Sequence, residues 1–134
     1  MEVSQVKKPR SISAYDDASN QQIIDTATPE LLVLKLLEKG CVLLSSSLQS
    51  LEKREYEPFQ QTSLHALQIV LSLRFVLDTA NGGHLAKDFY DTYTAIAASL
   101  LRAKNEKDEV ALKKIYLALD ELRGAWRTLS DRND

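Results

Sequence analysis

Leu112, Ile115, Leu119, Leu122, Trp126 and Leu129 follow one another at spacings of 3, 4, 3, 4 and 3. That period places all six on one stripe of an α-helix and is incompatible with a strand, whose faces alternate every second residue. Lys113, Lys114, Asp120, Glu121, Arg123 and Arg127 fall on the other side. A stripe of this kind must be buried against another element. A second seam repeats it: Leu34, Leu37, Cys41, Leu44, Leu48 and Leu51. With four Gly and three Pro among 134 residues, tight turns are too few for a β-rich fold, and a few long helices with short connections remain.

Helix boundaries are written in the residue types. Thr28 is an N-cap, Pro29 fits the first helical position, and Glu30 complements the positive helix end. Helix 1 therefore spans about 29–53. Helix 2 starts at Glu57-Pro58, runs over about 58–80, and stops at Asn81-Gly82-Gly83. Helix 3 spans about 84–104, with Leu85, Phe89, Thr92, Ile96, Ser99 and Ala103 as its expected inner stripe. Asp108 is the expected N-cap of helix 4, over about 109–129. The expected architecture is an all-α, antiparallel up-down four-helix bundle over 29–130, with a frayed end at 131–134. Residues 1–28 sustain no helical stripe and predict a mobile or loosely docked arm. Gly40, in mid-helix, marks a close approach between helices.

Helix 2 is unusually apolar. Between Leu64 and Leu77, His65, Gln68 and Ser72 form one narrow polar strip. Most of the remaining circumference is apolar, so the helix is either very buried or exposes an apolar strip for a partner. Arg74 lies opposite the polar strip, where a charge needs a partner or water. The partner-binding candidates are Ile69, Phe75 and Val76 on helix 2 and Tyr90 and Tyr93 on helix 3. Tyr15, Ile23 and Ile24 of the arm are candidates for a lid over that surface.

The chemistry-bearing residues are sparse. A net charge of −2 gives no basic footprint for nucleic acid. The lone Cys41 makes no internal disulfide and reads as a small buried hydrophobe. His65 and His84 lack metal-ligand spacing, and no phosphate-binding glycine loop is present. The expectation is no enzyme, no cofactor and no metal. The start Met1-Glu2-Val3-Ser4 lacks the apolar core of a secretory signal, and Lys35, Glu38 and Lys39 interrupt the most apolar run, so a cytoplasmic protein without membrane insertion is expected. Two alternatives stand beside a partner-helix binder. One is a histidine phosphotransfer bundle using His65, although His65-Ala66-Leu67-Gln68-Ile69-Val70 lacks the Lys and Gly usual after such a His. The other is a dimeric adaptor for some other helix.

Several segments, in order over about residues 15–129, resemble the flagellar secretion chaperone family FliS. Thr26-Ala27-Thr28-Pro29-Glu30 is similar to that family's TA[ST]P start of helix 1. Leu77-Asp78 with Gly82-Gly83-His84-Leu85-Ala86 resembles its SLD…GGEIA. Ala103 with Asp108 resembles its AN…D loop, and Leu122-Arg123-Gly124-Ala125-Trp126 its LRxAW. Tyr93 and Tyr15 fall where the family carries tyrosines. The departures are Lys35 to Lys39 in place of MLYDG, Ser72, Arg74, Tyr90-Asp91-Thr92 and Lys104, which mark a divergent member. The resemblance implies a non-enzymatic export chaperone that holds the disordered C-terminal segment of flagellin. It further implies export-gate components as other partners, a monomer or homodimer, and an N-terminal segment that covers part of the apolar surface.

Overall fold

The computed structural model describes residues 28–80 and 83–132, with side chains described outside 77–86 and up to 131. The expected arm, with Tyr15, Ile23 and Ile24, lies outside the described residues. Four helices follow in order: α1 Pro29–Glu52, α2 Tyr56–Ala80, α3 Gly83–Glu106 and α4 Glu109–Arg132. Helix α1 packs on α2 and α4, α2 packs on α3, and a lighter α3–α4 contact closes the ring. Cross-helix partners such as Ser47–Ser63 and Arg127–Glu38 run in opposing register, as in an up-down bundle.

The caps work as their residue types dictate. Thr28 Oγ1 accepts from Leu31 N at 3.1 Å, and Asp108 Oδ1 accepts from Ala111 N at 3.0 Å. Helix α2 begins two residues before Pro58, because a proline in the first turn withholds an N–H that has no partner there. Two turns carry a basic residue in the left-handed conformation, Arg54 (φ 60°) and Lys107 (φ 52°). At the first, Arg54 N reaches Leu51 O and Glu55 N reaches Ser50 O. At the second, Lys107 N reaches Lys104 O and Asp108 N reaches Ala103 O. These paired bonds satisfy the last carbonyls of α1 and α3. The second carries α3 to Glu106, two residues beyond the expected end.

Both predicted seams are inside. Leu34, Leu37, Cys41, Leu44 and Leu51 of α1 join Leu112, Ile115, Leu119 and Trp126 of α4 in one buried cluster. Each fully buried Leu contributes roughly 1.5–3 kcal/mol. Leu48, Leu122 and Leu129 are partly buried against that cluster. Gly40 is buried, and a Cβ there would lie 2.9 Å from Leu119 Cδ2. The expected close approach is therefore present.

Helix α3 differs from the expected stripe. Tyr93, Ile96, Ala97, Leu100 and Ala103 are buried, whereas Thr92 is exposed and Ser99 half-buried. The two possible stripes differ by about one residue of rotation. The larger side chains, Tyr93 and Leu100, win the interior, and Thr92 turns outward to donate its hydroxyl to Asp88 O at 2.9 Å.

Candidate functional site

The apolar surplus of α2 resolves into two flanks. On one, Ile69 and Val76 are half-buried against the core, and Ile69 Cγ2 approaches Gly40 of α1. On the other, Leu64, Leu71 and Phe75 follow at spacings of 7 and 4 and are 47%, 42% and 69% exposed. Helical periodicity puts these three on one line along the outside of α2. Across from them, Tyr90, Thr94 and Leu101 share the adjoining flank of α3 by the same periodicity, and Leu101 is 47% exposed.

Leu71, Arg74, Phe75 and Tyr90 enclose an open hollow of about 240 Å³ between α2 and α3. Arg74 is half-buried at its wall. Its Nη2 donates to the Tyr90 hydroxyl at 2.7 Å, and its guanidinium carbon lies 4.9 Å from the centre of the Tyr90 ring. The sequence demanded a partner for this charge, and the phenol supplies one. Arg74 Nε is buried and has no acceptor among the described residues.

The five partner-binding candidates thus separate. Phe75 and Tyr90 come together at the hollow. Ile69 and Val76 lie on the opposite flank of α2. Tyr93 is fully buried and belongs to the core, which corrects its placement on the surface. Its ring stacks near Phe89 at 6.3 Å, and Phe89 meets Trp126 at 5.1 Å. Burial drives the Tyr93 phenol pKa far up, with a small opposing pull from the indole N–H of Trp126. Neither the hydroxyl nor that indole nitrogen closes a hydrogen bond of ordinary geometry. Leu64, Leu71 and Leu101 were missed as candidates. No spacing separates the first two from the rest of the apolar circumference of α2.

A larger groove of about 530 Å³ runs between α1 and α4, past Glu38, Cys41, Val42, Ser46, Tyr116 and Asp120. Hydrocarbon makes up most of its accessible walls, and its charges are already matched: Arg123 pairs with Asp120, and Arg127 with Glu38. The Cys41 thiol at its floor is pushed up to about 11 by burial and by the Asp120 carboxylate, with Arg123 opposing. His65 is exposed on α2. Among the described residues no helix is long and apolar enough to cross a membrane.

A family model described as "Flagellar protein FliS" matches residues 11–133. The chain is 24% identical over 121 residues to the flagellar secretion chaperone FliSB of Pseudomonas aeruginosa, covering 90% of this chain and 96% of that protein. It is 23% identical over 116 residues to the flagellar secretion chaperone FliS of Vibrio cholerae, covering 87% and 85%. The corresponding protein of Salmonella typhimurium is 24% identical over 122 residues, covering 90% of each.

Proposed function

The chain belongs to the FliS family of flagellar proteins, and from that premise we propose that it is a flagellar export chaperone acting in the bacterial cytoplasm. It binds the disordered C-terminal segment of unpolymerised flagellin and keeps that segment from assembling before export. It is not an enzyme, in keeping with the chaperone names its relatives carry. The observation that carries this reading is the exposed line Leu64, Leu71 and Phe75 beside Tyr90 and Leu101.

The binding mode is a helix laid in a groove, with apolar anchors at i, i+3, i+4 and i+7. Covering a Leu or Phe side chain is worth roughly 1.5–3 kcal/mol when complete. Ordering a disordered segment consumes about 2–5 kcal/mol of the gross gain. The remainder suits a partner that must be released at the export gate. Tyr15, Ile23 and Ile24 supply a lid that covers the strip when no segment is bound.

Calorimetric titration of the full chain with a flagellin C-terminal segment tests the reading. Micromolar or tighter binding is expected, and no heat at micromolar concentrations would overturn it. Deleting residues 1–22 is expected to leave the melting temperature in place and to change segment affinity. A large fall in melting temperature would exclude the lid.

A further inference from the structure

Arg74 is the charged member of the α2–α3 hollow, and its surroundings leave it incompletely satisfied. Its Nη2 is held by a neutral phenol oxygen, its Nε is buried without an acceptor, and among the described residues it makes no ion pair. Leu71 and Phe75 flank it with hydrocarbon. A half-buried cation with no counter-charge among the described residues has lost hydration without recovering it there, and apolar walls strengthen any ion pair that forms. Tyr90 accepts from Arg74, which leaves its own O–H free to donate. Guanidinium and phenol together thus give the walls of the hollow their hydrogen-bond donors.

We propose that Arg74, seconded by Tyr90, is a receptor for one carboxylate carried by an otherwise apolar helical segment lying in the α2–α3 groove. This rests on the reading of that groove as the partner's seat, and it adds the chemistry of the partner. Charge complementarity selects the occupant: an uncharged apolar helix would seal Arg74 away from water with no counter-ion, and a basic one would be repelled. A carboxylate forms charge-assisted hydrogen bonds and removes the deficit. Leu64 lies ten residues before Arg74 on the same helix, or roughly 15 Å along the groove at 1.5 Å per residue. The carboxylate therefore lies about ten residues, on a helical partner, from the side chain that covers Leu64. It is either an acidic side chain or the free end of the segment.

The test titrates the full chain with three amphipathic Leu-based peptides. One carries a single Glu and an amidated end, one has Gln in its place, and one has Gln with a free terminal carboxylate. One carboxylate peptide is expected to bind about tenfold tighter than the amidated Gln peptide, with the advantage shrinking as salt rises. Which one does so identifies the source of the carboxylate. Arg74→Gln erases the preference, Tyr90→Phe reduces it, and Phe75→Ala weakens all three peptides alike. Equal affinity for all three, no binding of any, or a preference that survives in Arg74→Gln would overturn the receptor. A flagellin C-terminal segment and its Gln-substituted, amidated form are titrated in parallel. Binding of both with equal affinity sinks the receptor alone. Failure of the flagellin segment beside carboxylate-selective peptides sinks the flagellin assignment alone.

Discussion

Gly40 of α1 and Leu119 of α4 meet so closely that a Cβ on residue 40 would lie 2.9 Å from Leu119 Cδ2. Leu119 is fully buried, so its methyl can shift only against the surrounding core. Around Gly124, also inside a helix, the same added Cβ meets nothing within 4 Å. Gly40→Ala gains about 1 kcal/mol of helix propensity and loses about 1–3 kcal/mol to overpacking. Gly124→Ala gains the propensity alone. Thermal melts should place Gly124→Ala a few degrees above the parent and Gly40→Ala at or below it. The reverse order would show that α1 and α4 are not held at this distance by residue 40.

Ser47 and Ser63, both fully buried, hydrogen-bond to each other across α1 and α2. Ser47→Ala strands the Ser63 hydroxyl, at a cost of about 1–3 kcal/mol, whereas Ser63→Ala leaves Ser47 Oγ its bond to the Phe59 carbonyl and costs less. The double variant removes both polar groups together. Its loss in urea unfolding should be smaller than the sum of the single losses by about 0.5–1.5 kcal/mol. Additive losses would mean that the two hydroxyls do not depend on each other.

Cys41 gives a pH dependence with a definite sign. Burial, aided by Asp120, raises its pKa from 9.0 to about 11. Below pH 9 the thiol is protonated in the folded and unfolded chain alike, so it contributes no pH dependence. Between pH 9 and about 11 the unfolded chain loses the proton while the folded chain keeps it, so stability falls. Cys41→Ala should flatten this part of the stability profile, and a thiol alkylating agent at pH 8 should label the parent only after unfolding. Rapid labelling of the folded chain would contradict the burial.

Phe75 and Tyr93 should behave as opposites. Phe75→Ala removes an exposed ring, so its melting temperature changes little while affinity for the flagellin segment falls about tenfold or more. Tyr93→Phe removes a buried hydroxyl that lacks a hydrogen bond, so stability holds or rises by about 1 kcal/mol and affinity stays put. Loss of binding in Tyr93→Phe, without loss of fold, would place Tyr93 back at the partner surface.

Helix α4 could be read whole from its spacing, because its charged side leaves only one orientation possible. Helix α1 was equally plain once Thr28 and Pro29 fixed its start. On α3, alanines spread a weak apolar character over a broad arc, and spacing alone did not separate Thr92 from Tyr93 as the inward residue. Volume decided it. At the site, Phe75 and Tyr90 were within reach of the sequence. Leu64 and Leu71 were not separable from the rest of α2, since an apolar circumference does not say which flank the neighbours leave bare. The need of Arg74 for a partner was legible. That Tyr90 meets it, 16 positions away across a helix break, follows only from the α2–α3 packing.

The ring closes mainly through α4 returning to α1, with the lighter contact between α3 and α4. Glu38 and Arg127, which bind across that closure, are 89 positions apart. During synthesis at about 5–20 residues per second, the second of them leaves the ribosome roughly 5–20 s after the first. No earlier segment brings Leu112, Ile115 and Leu119 to the α1 seam. For that interval α1 is covered by α2 alone, and the burial of its α4-facing side waits on the last helix to be made.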